Sequence, residues 1–139
     1  MIEIYTDGAC LGNPGPGGWA AVILERGNRR TIKGREDHTT NNRMEILAVV
    51  EGLKDLDEPG KVTVFSDSQY LINTMTKNWN RKANLDLWEK LDSVVGDHEV
   101  TWRWVRGHDG DPMNEMADKL AVGEAKLNSD INPSTGKLT

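Results

Sequence analysis

Cysteine is almost missing from this sequence, and long apolar runs are missing altogether. Cys10 is the single cysteine among 139 residues, which excludes an internal disulfide and favours a reducing cytoplasm as the location. No apolar stretch approaches the ~20 residues of a membrane-spanning helix, and the N-terminus shows no signal-peptide pattern. We therefore expect a cytoplasmic protein with no membrane association.

An excess of positive charge, the usual property of nucleic-acid-binding proteins, is also missing. The formal net charge is -5 at pH 7, and the sequence pI is near 5.2. Such an average can hide a local pattern, because carboxylates gathered around cations give a negative sum while Lys and Arg at the rim still bind phosphates. The composition therefore permits a nuclease without predicting one.

The hydrophobic periodicity changes along the chain in an order typical of an α/β domain. Strands are predicted at residues 2–7, 19–24, 30–35, 62–65 and 100–104, and helices at 46–53, 71–79, 87–95 and from Pro112 onward. Turn residues between the first three strands favour an antiparallel meander, and the later strand–helix–strand crossovers favour parallel additions. We expect a mixed five-stranded sheet flanked by helices over residues 1–125, with 126–139 as a polar, loose tail.

Two details of these elements can be predicted from single residues. Asp111 is the expected N-cap of the last helix, because Pro112 suits the first helical position. The tryptophans expected in the core, from their alternation or helical spacing, are Trp19, Trp88, Trp102 and Trp104. Trp79, on the apolar face of the second predicted helix, is left open between the core and stacking on nucleic acid.

Four acids lie where four predicted elements can bring them together: Asp7, Glu45, Asp67 and Asp118. Asp7 and Asp67 end the first and fourth strands, and ligands collect at the carboxyl ends of strands in open sheets. Glu45 is expected in the first turn of the first helix, and Asp118 beside the buried stripe of the last helix. Converged carboxylates repel unless cations lie between them, and oxygen ligands suit Mg²⁺. This arrangement predicts phosphodiester hydrolysis assisted by two ions ~3.5–4 Å apart.

Each of these acids also has an ordinary structural explanation. Asp7 with the following glycine is a common hairpin-turn pair, and Asp67 could cap the helix that follows it. Glu45 could complement the helix dipole, and Asp118 could be a solvated surface acid. Only the joint placement of the four favours a metal site.

Four segments around these acids are more specific than the acids alone. They read YTDGACLGNPGPGGW, TTNNRMEILAVVEGL, VFSDSQYL and WVRGHDGDPMNEMADKLA. Taken in this order they resemble type 1 ribonuclease H, and the resemblance runs from Ile2 to about Ala125. It implies a ribonuclease H-like fold and endonucleolytic cleavage, dependent on Mg²⁺ or Mn²⁺, of the RNA strand of RNA–DNA hybrids. The implied products carry 5′-phosphate and 3′-hydroxyl ends.

The same resemblance implies roles for particular residues. The implied metal ligands are Asp7 of TDG, Glu45 of RME, Asp67 of SDS and Asp118 of MADKLA. His108 of RGHDG matches the family's mobile histidine, which assists proton transfer or product departure; the alternative is a loop histidine without a function. Residues resembling the hybrid-binding surface are Gly8, Cys10, Gly12, Asn13, Thr40, Asn41, Asn42 and Gln69. Their alternatives are a glycine-rich hairpin and a helix cap.

The chain departs from the family pattern between its two central helices. Many bacterial members carry an extra helix and a basic loop there, together called the basic handle, whereas here only Lys77 to Asn84 (KNWNRKAN) joins the helices. Fewer phosphate contacts predict weaker hybrid binding with a shallower salt dependence. The cations Arg29, Arg30, Lys33 and Arg35 could compensate, or could form a solvated edge.

Two other functions are compatible with the same residues. The first is a nucleic-acid-binding module of this fold without catalysis, although all four acids are present. The second is a Mg²⁺-dependent phosphatase or a DNA-cutting nuclease with the same acidic cluster. The segments TTNNRME and GNPGPGG favour hybrid recognition over these, and a monomer without a protein partner is the default expectation.

Overall fold

The computed structural model of the protein describes residues 2–107 and 111–130. Its elements follow the order β1 (Ile2–Cys10), β2 (Gly15–Glu25), β3 (Asn28–Thr39), α1 (Asn41–Lys54), β4 (Lys61–Ser66), α2 (Gln69–Lys77), α3 (Leu85–Val95), β5 (Glu99–Trp104) and α4 (Pro112–Asp130). The strand order in the five-stranded sheet is β3-β2-β1-β4-β5. β1, β2 and β3 are antiparallel, and β4 lies parallel to both β1 and β5. The predicted mixed α/β sheet is confirmed.

The helices cover the two faces of this sheet unequally. Strand alternation directs Ile4 and Ala21 to one face, where they surround Gly52 of α1. Gly18 belongs to the other face, where α4 packs so closely that a Cβ there would lie 2.3 Å from the Ala121 carbonyl oxygen. α4 contacts β1, β2 and β3, whereas α2 contacts β4 and β5 and α3 packs on α1. The first strand is therefore covered from both sides.

The main core lies between the sheet and α1. The predicted stripe of α1 is buried, and it packs with strand residues and with α3 in one cluster that includes Ile4, Ile46, Val49, Val50, Leu53, Val64 and Trp88. In α4, Asp111 caps the first turn as predicted, because its Oδ1 accepts hydrogen bonds from the backbone N–H groups of Met113 and Asn114. No helix in the described ranges combines the length and apolarity needed to cross a membrane.

Two tryptophans differ from their predictions. α2 ends at Lys77, because Asn78 adopts a left-handed conformation with φ 55, so the expected extension of the helix to Trp79 is wrong. Trp79 is 48% exposed on the connection that follows. Trp104 is 43% exposed rather than part of the core, because it ends β5, a strand at the edge of the sheet. The core position of Trp88 is confirmed.

Two helix boundaries also differ from their predictions. α1 begins at Asn41, so Glu45 lies beyond the first turn, and the expected first-turn position is wrong. α4 continues to Asp130, so residues 126–130 of the expected loose tail are helical. That stretch contains no glycine or proline that would end a helix. Residues 131–139 lie outside the described part of the chain.

Candidate active site

The pairing of β1 with β4 brings two of the predicted acids to one edge of the sheet. The parallel register runs from Ile2 opposite Val62 to Thr6 opposite Ser66. Asp7 and Asp67 each follow the last residue of this register, so both lie where the parallel pairing of β1 with β4 ends, although β1 continues to Cys10 in its pairing with β2. This is the edge at which ligands collect in open sheets.

Glu45 reaches the same edge because α1 approaches β1 without an intervening side chain. A Cβ added to Gly8 would lie 2.5 Å from both the Glu45 nitrogen and the Met44 carbonyl carbon. Only glycine permits this backbone contact. As a result Asp7, Glu45 and Asp67 each offer a carboxylate oxygen, and these oxygens all lie within 4.8 Å of one another.

Burial and mutual repulsion shift the protonation of these acids. The pKa of Asp7 is raised from 3.8 to about 8, first by burial, then by the charge of Asp67 and a side-chain hydrogen bond with Asp118. The Gly8 N–H, which donates to Asp7 Oδ1 at 2.9 Å, opposes this rise. The pKa of Glu45 is raised well above 4.5, first by burial and then by the charges of Asp7 and Asp67. Protein groups alone therefore disfavour three ionised carboxylates here.

The group has the properties of a site for a divalent cation. Oε1 of Glu45 is buried and has no hydrogen-bond partner among the described residues. A buried, unpartnered carboxylate oxygen is destabilising unless a ligand satisfies it. Three carboxylates with oxygens this close match the hard, oxygen-only ligand sets of Mg²⁺. The residues therefore fit the metal that the sequence predicts.

The fourth predicted acid approaches from the opposite face of the sheet. Asp118 is half-buried in α4, and it lies close enough to Asp7 for the side-chain hydrogen bond that raises the Asp7 pKa. The structure thus brings Asp7, Glu45 and Asp67 into one group and places Asp118 beside Asp7. His108 lies outside the described residues.

The predicted substrate-binding residues surround this edge in several environments. Gly8 is buried under α1, whereas Gly12, Asn41, Asn42 and Gln69 are exposed. The Cys10 thiol donates to the carbonyl oxygens of Thr39 at 3.3 Å and Gly15 at 3.4 Å, a structural role.

Asn13 and Thr40 both make contacts at the start of α1. Asn13 Oδ1 accepts from the Asn41 backbone N–H at 2.9 Å. Thr40 is the N-cap, and its hydroxyl accepts from the Arg43 backbone N–H at 3.2 Å. The helix-cap alternative is therefore confirmed for Thr40. Because Thr40 is the N-cap, the side chains of Asn41 and Asn42 are not needed as the cap.

The cations of β3 are engaged by acids of the protein. Arg30 binds Glu25 at 3.0 Å and Asp55 at 2.7 Å. Glu124, buried in α4, binds Arg35 at 3.0 Å and Lys33 at 3.5 Å. Each of these three cations is therefore paired with a carboxylate of the protein, while its side chain remains 40–51% exposed.

One residue near the site was missed by reasoning from the sequence. Arg43 forms two hydrogen bonds with the carboxylate of Asp86, at 2.7 and 3.0 Å, and a third with Asn84 at 3.3 Å. These bonds join the start of α1, two residues before Glu45, to the start of α3. The only signal was the position of Arg43 beside Met44 and Glu45, and its partners could be found only in three dimensions.

Comparison with known proteins assigns this arrangement to a family. The family model described as RNase H matches residues 1–126. The chain belongs to the ribonuclease H family. It is accordingly an endoribonuclease, and the divalent-metal dependence of ribonucleases H agrees with the acidic group formed by Asp7, Glu45 and Asp67.

Individual relatives of this ribonuclease H cover most of its length. Ribonuclease H of Bordetella pertussis (strain Tohama I) is 50% identical over an alignment that covers 87% of this chain and 86% of the relative. The crystal structure of a type 1 ribonuclease H with the type 2 active-site motif is 35% identical, with a TM-score of 0.79 over 91% of this chain and 72% of that one. A second ribonuclease H1, solved in complex with an RNA/DNA hybrid, is 25% identical, with a TM-score of 0.78 over 91% of this chain and 98% of that one.

Proposed function

We propose that this ribonuclease H hydrolyses the RNA strand of RNA–DNA hybrids, with Asp7, Glu45, Asp67 and Asp118 as the ligands of two Mg²⁺ ions. The observation that carries the proposal is that Asp7, Glu45 and Asp67 each offer a carboxylate oxygen within 4.8 Å of the others. Glu45 also has a buried Oε1 that has no hydrogen-bond partner among the described residues. The similar ribonuclease H1 crystallised with an RNA/DNA hybrid supports the choice of substrate. Mn²⁺ is the expected substitute metal.

The ions would supply an activated water and stabilise charge on the attacking and leaving oxygens of the phosphodiester. The protein's own contribution is to hold the ligands ready. The strand ends fix Asp7 and Asp67, the contact at Gly8 brings in Glu45, and α4 adds Asp118. Because the group is largely buried, the ligands need little rearrangement when cations and substrate bind. We expect 5′-phosphate and 3′-hydroxyl ends.

The proposed substrate contacts lie close to the acids along the chain, in the segment that follows Asp7, at the start of α1 and at the start of α2. Asn13 and Thr40 would bind a phosphate of the DNA strand, near the first N–H groups of α1. Asn41, Asn42 and Gln69, whose side chains are exposed, would read the minor groove. Gly8, Cys10 and Gly12 would allow the backbone to approach the RNA strand. These assignments extend the resemblance in sequence to the placement of the residues.

His108 completes the proposed machinery. It follows Gly107, and a Cβ at Gly107 would lie 2.8 Å from Asp67 Oδ2, so the segment leading to His108 passes beside the acidic group. We propose that His108 assists proton transfer or product departure. The proposed catalytic domain spans residues 1–125, and we expect it to act in the cytoplasm as a monomer.

The experiment that tests this proposal compares four substrates with and without Mg²⁺. An RNA–DNA hybrid, duplex DNA, duplex RNA and a phosphomonoester are incubated with wild type, with Asp7→Asn and with Asp57→Asn. Asp57 is an exposed acid between α1 and β4, at the opposite end of the strands, and serves as the matched control.

The expected result is that, of the four substrates, only the hybrid is cleaved, and only when Mg²⁺ is present. This cleavage should be retained in Asp57→Asn and reduced by at least two orders of magnitude in Asp7→Asn, because one of the proposed metal ligands is lost. Hybrid binding without cutting would instead indicate a non-catalytic module. Release of phosphate from the monoester, or cutting of duplex DNA, would indicate a different hydrolase with the same cluster.

A further inference from the structure

Trp104 occupies a position that packing does not explain. It is the last residue of β5, it lies opposite Ser66 in the parallel register, and it remains 43% exposed. Its indole Nε1 donates a hydrogen bond to the backbone carbonyl oxygen of Asp67 at 3.2 Å. The exposed ring is thus directed by a polar contact to the peptide that follows a predicted metal ligand.

The backbone on both sides of Asp67 is held by separate contacts of Ser66 and Ser68. The Val105 N–H donates to the Ser66 carbonyl oxygen at 2.9 Å, which extends the sheet pairing by one bond. The Ser68 N–H donates to Ser66 Oγ at 3.0 Å, and the Ser68 hydroxyl caps α2 by accepting from the Leu71 N–H at 3.1 Å. The hydrogen bond from the Trp104 indole adds a contact at the carbonyl oxygen of Asp67 itself.

The chain that leaves β5 also meets the carboxylate of Asp67. A Cβ at Gly107 would lie 2.8 Å from Asp67 Oδ2, so the Gly107 backbone passes directly beside this oxygen. Residues 104–107 therefore approach Asp67 at two places: the Trp104 indole contacts its carbonyl oxygen, and Gly107 leaves no room for a side chain beside its carboxylate. Rotation of the Asp67 peptide would press the carboxylate against this backbone or withdraw it from Asp7 and Glu45.

We propose that Trp104 is a positioning residue, whose N–H fixes the Asp67 peptide and thereby directs the Asp67 carboxylate into the acidic group. The proposal rests on the function proposed above, in which that group binds divalent cations. Residues that orient metal ligands typically change metal affinity or activity by 10–100-fold when replaced. Trp104 contacts the backbone of the ligand rather than its carboxylate, so we expect the lower end, about tenfold weaker Mg²⁺ binding.

The experiment measures Mg²⁺ affinity by calorimetry in the absence of nucleic acid, so that substrate contacts of the ring play no part. Trp104→Phe keeps an aromatic ring but removes the N–H donor. Replacement of Trp104 by benzothienylalanine keeps the shape of the indole and removes only the donor. Trp102→Phe is the matched control, because Trp102 lies on the same strand and the same face, two residues farther from Asp67, packed against the core.

Both replacements of Trp104 should weaken Mg²⁺ binding about tenfold, while Trp102→Phe lowers the melting temperature but leaves the affinity unchanged. In hybrid cleavage, the loss at low Mg²⁺ should be recovered at raised Mg²⁺ with KM for the hybrid unaltered. Wild-type affinity in the benzothienylalanine protein would overturn the proposal. If wild type and Asp7→Asn bind Mg²⁺ alike, the proposed metal site itself fails, and the role of Trp104 fails with it.

Discussion

The protonation of Asp7 leads to an unusual prediction: removing this acid should stabilise the metal-free protein. In the folded state the pKa of Asp7 is about 8, against 3.8 for an unperturbed side chain. At pH 7 the folded protein therefore holds a proton that the unfolded chain has released. Each pKa unit between 3.8 and 7 corresponds to 1.36 kcal/mol, so Asp7 destabilises the fold by about 4 kcal/mol at pH 7.

The sign of the pH dependence follows from the raised pKa. Below pH 3.8 the carboxyl is protonated in both states and causes no difference in stability. Between pH 3.8 and about 8 the unfolded chain loses the proton first, so the free energy of unfolding falls as the pH rises. Above about pH 8 both states are ionised, and the destabilisation is complete.

The substitution Asp7→Asn keeps the size of the side chain and removes its charge. It should raise the free energy of unfolding by about 2–4 kcal/mol at pH 7 in EDTA, and by almost nothing at pH 3.5. Part of the gain is offset because an amide oxygen accepts the 2.9 Å hydrogen bond from the Gly8 N–H less strongly than a carboxylate.

The assay is urea denaturation followed by circular dichroism at several pH values, with Asp57→Asn as the control for loss of an exposed acid. Adding Mg²⁺ should stabilise wild type and reduce the advantage of Asp7→Asn, because only the intact site gains binding energy. If Asp7→Asn is less stable than wild type at pH 7, or equally stabilised at both pH values, Asp7 does not destabilise the folded protein through its raised pKa.

Three further predictions concern residues that support the site and the absence of the basic handle. Gly8→Ala should destabilise the protein by several kcal/mol in thermal melts, because its Cβ would meet the α1 backbone at 2.5 Å, whereas Gly123→Ala, with open space around it, should be neutral or stabilising. Asp86→Asn should lower the free energy of unfolding by roughly 1 kcal/mol at neutral pH, since the ion pair with Arg43 is half exposed. This pair lowers the Asp86 pKa to about 2, so the difference in stability between variant and wild type should disappear as the pH falls from about 4 through 2. Hybrid binding, measured by anisotropy against salt, should show a shallower slope than in relatives with the basic handle, and an equal slope would show that other cations compensate.

Local patterns in the sequence were sufficient to predict most of the fold. The alternation around Ile4 and Val64 and the stripe from Ile46 to Leu53 match the observed strands and α1, because each element buries one face. The crossover rule predicted the parallel direction of β4, whereas its place beside β1, which brings Asp7 next to Asp67, was only a hypothesis before the coordinates.

The wrong predictions share a physical cause: a local sequence pattern does not indicate which other elements pack against a helix or strand. Trp102 and Trp104 alternate identically, yet Trp104 is exposed because β5 is an edge strand and the residue lies at its end. Trp79 has helical spacing, but the left-handed conformation of Asn78 ends α2 before it.

Within the site, contacts between residues far apart in the sequence could not be predicted either. The approach of α1 to Gly8, and the bond from the Trp104 indole to Asp67, join residues about 37 positions apart, which no local pattern reports. The identity of the acids could be predicted from the sequence, whereas their separation, their burial and the shift of their pKa values required coordinates.

The proposed function requires that carboxylates from β1, α1 and β4 hold the divalent cations used in hydrolysis. Crystals of the protein grown with Mn²⁺ and measured at the manganese absorption edge test it most directly. We expect an anomalous peak among the carboxylates of Asp7, Glu45 and Asp67, and its loss in Asp7→Asn. No peak there at a Mn²⁺ concentration that supports cleavage, or a peak only elsewhere, would contradict it.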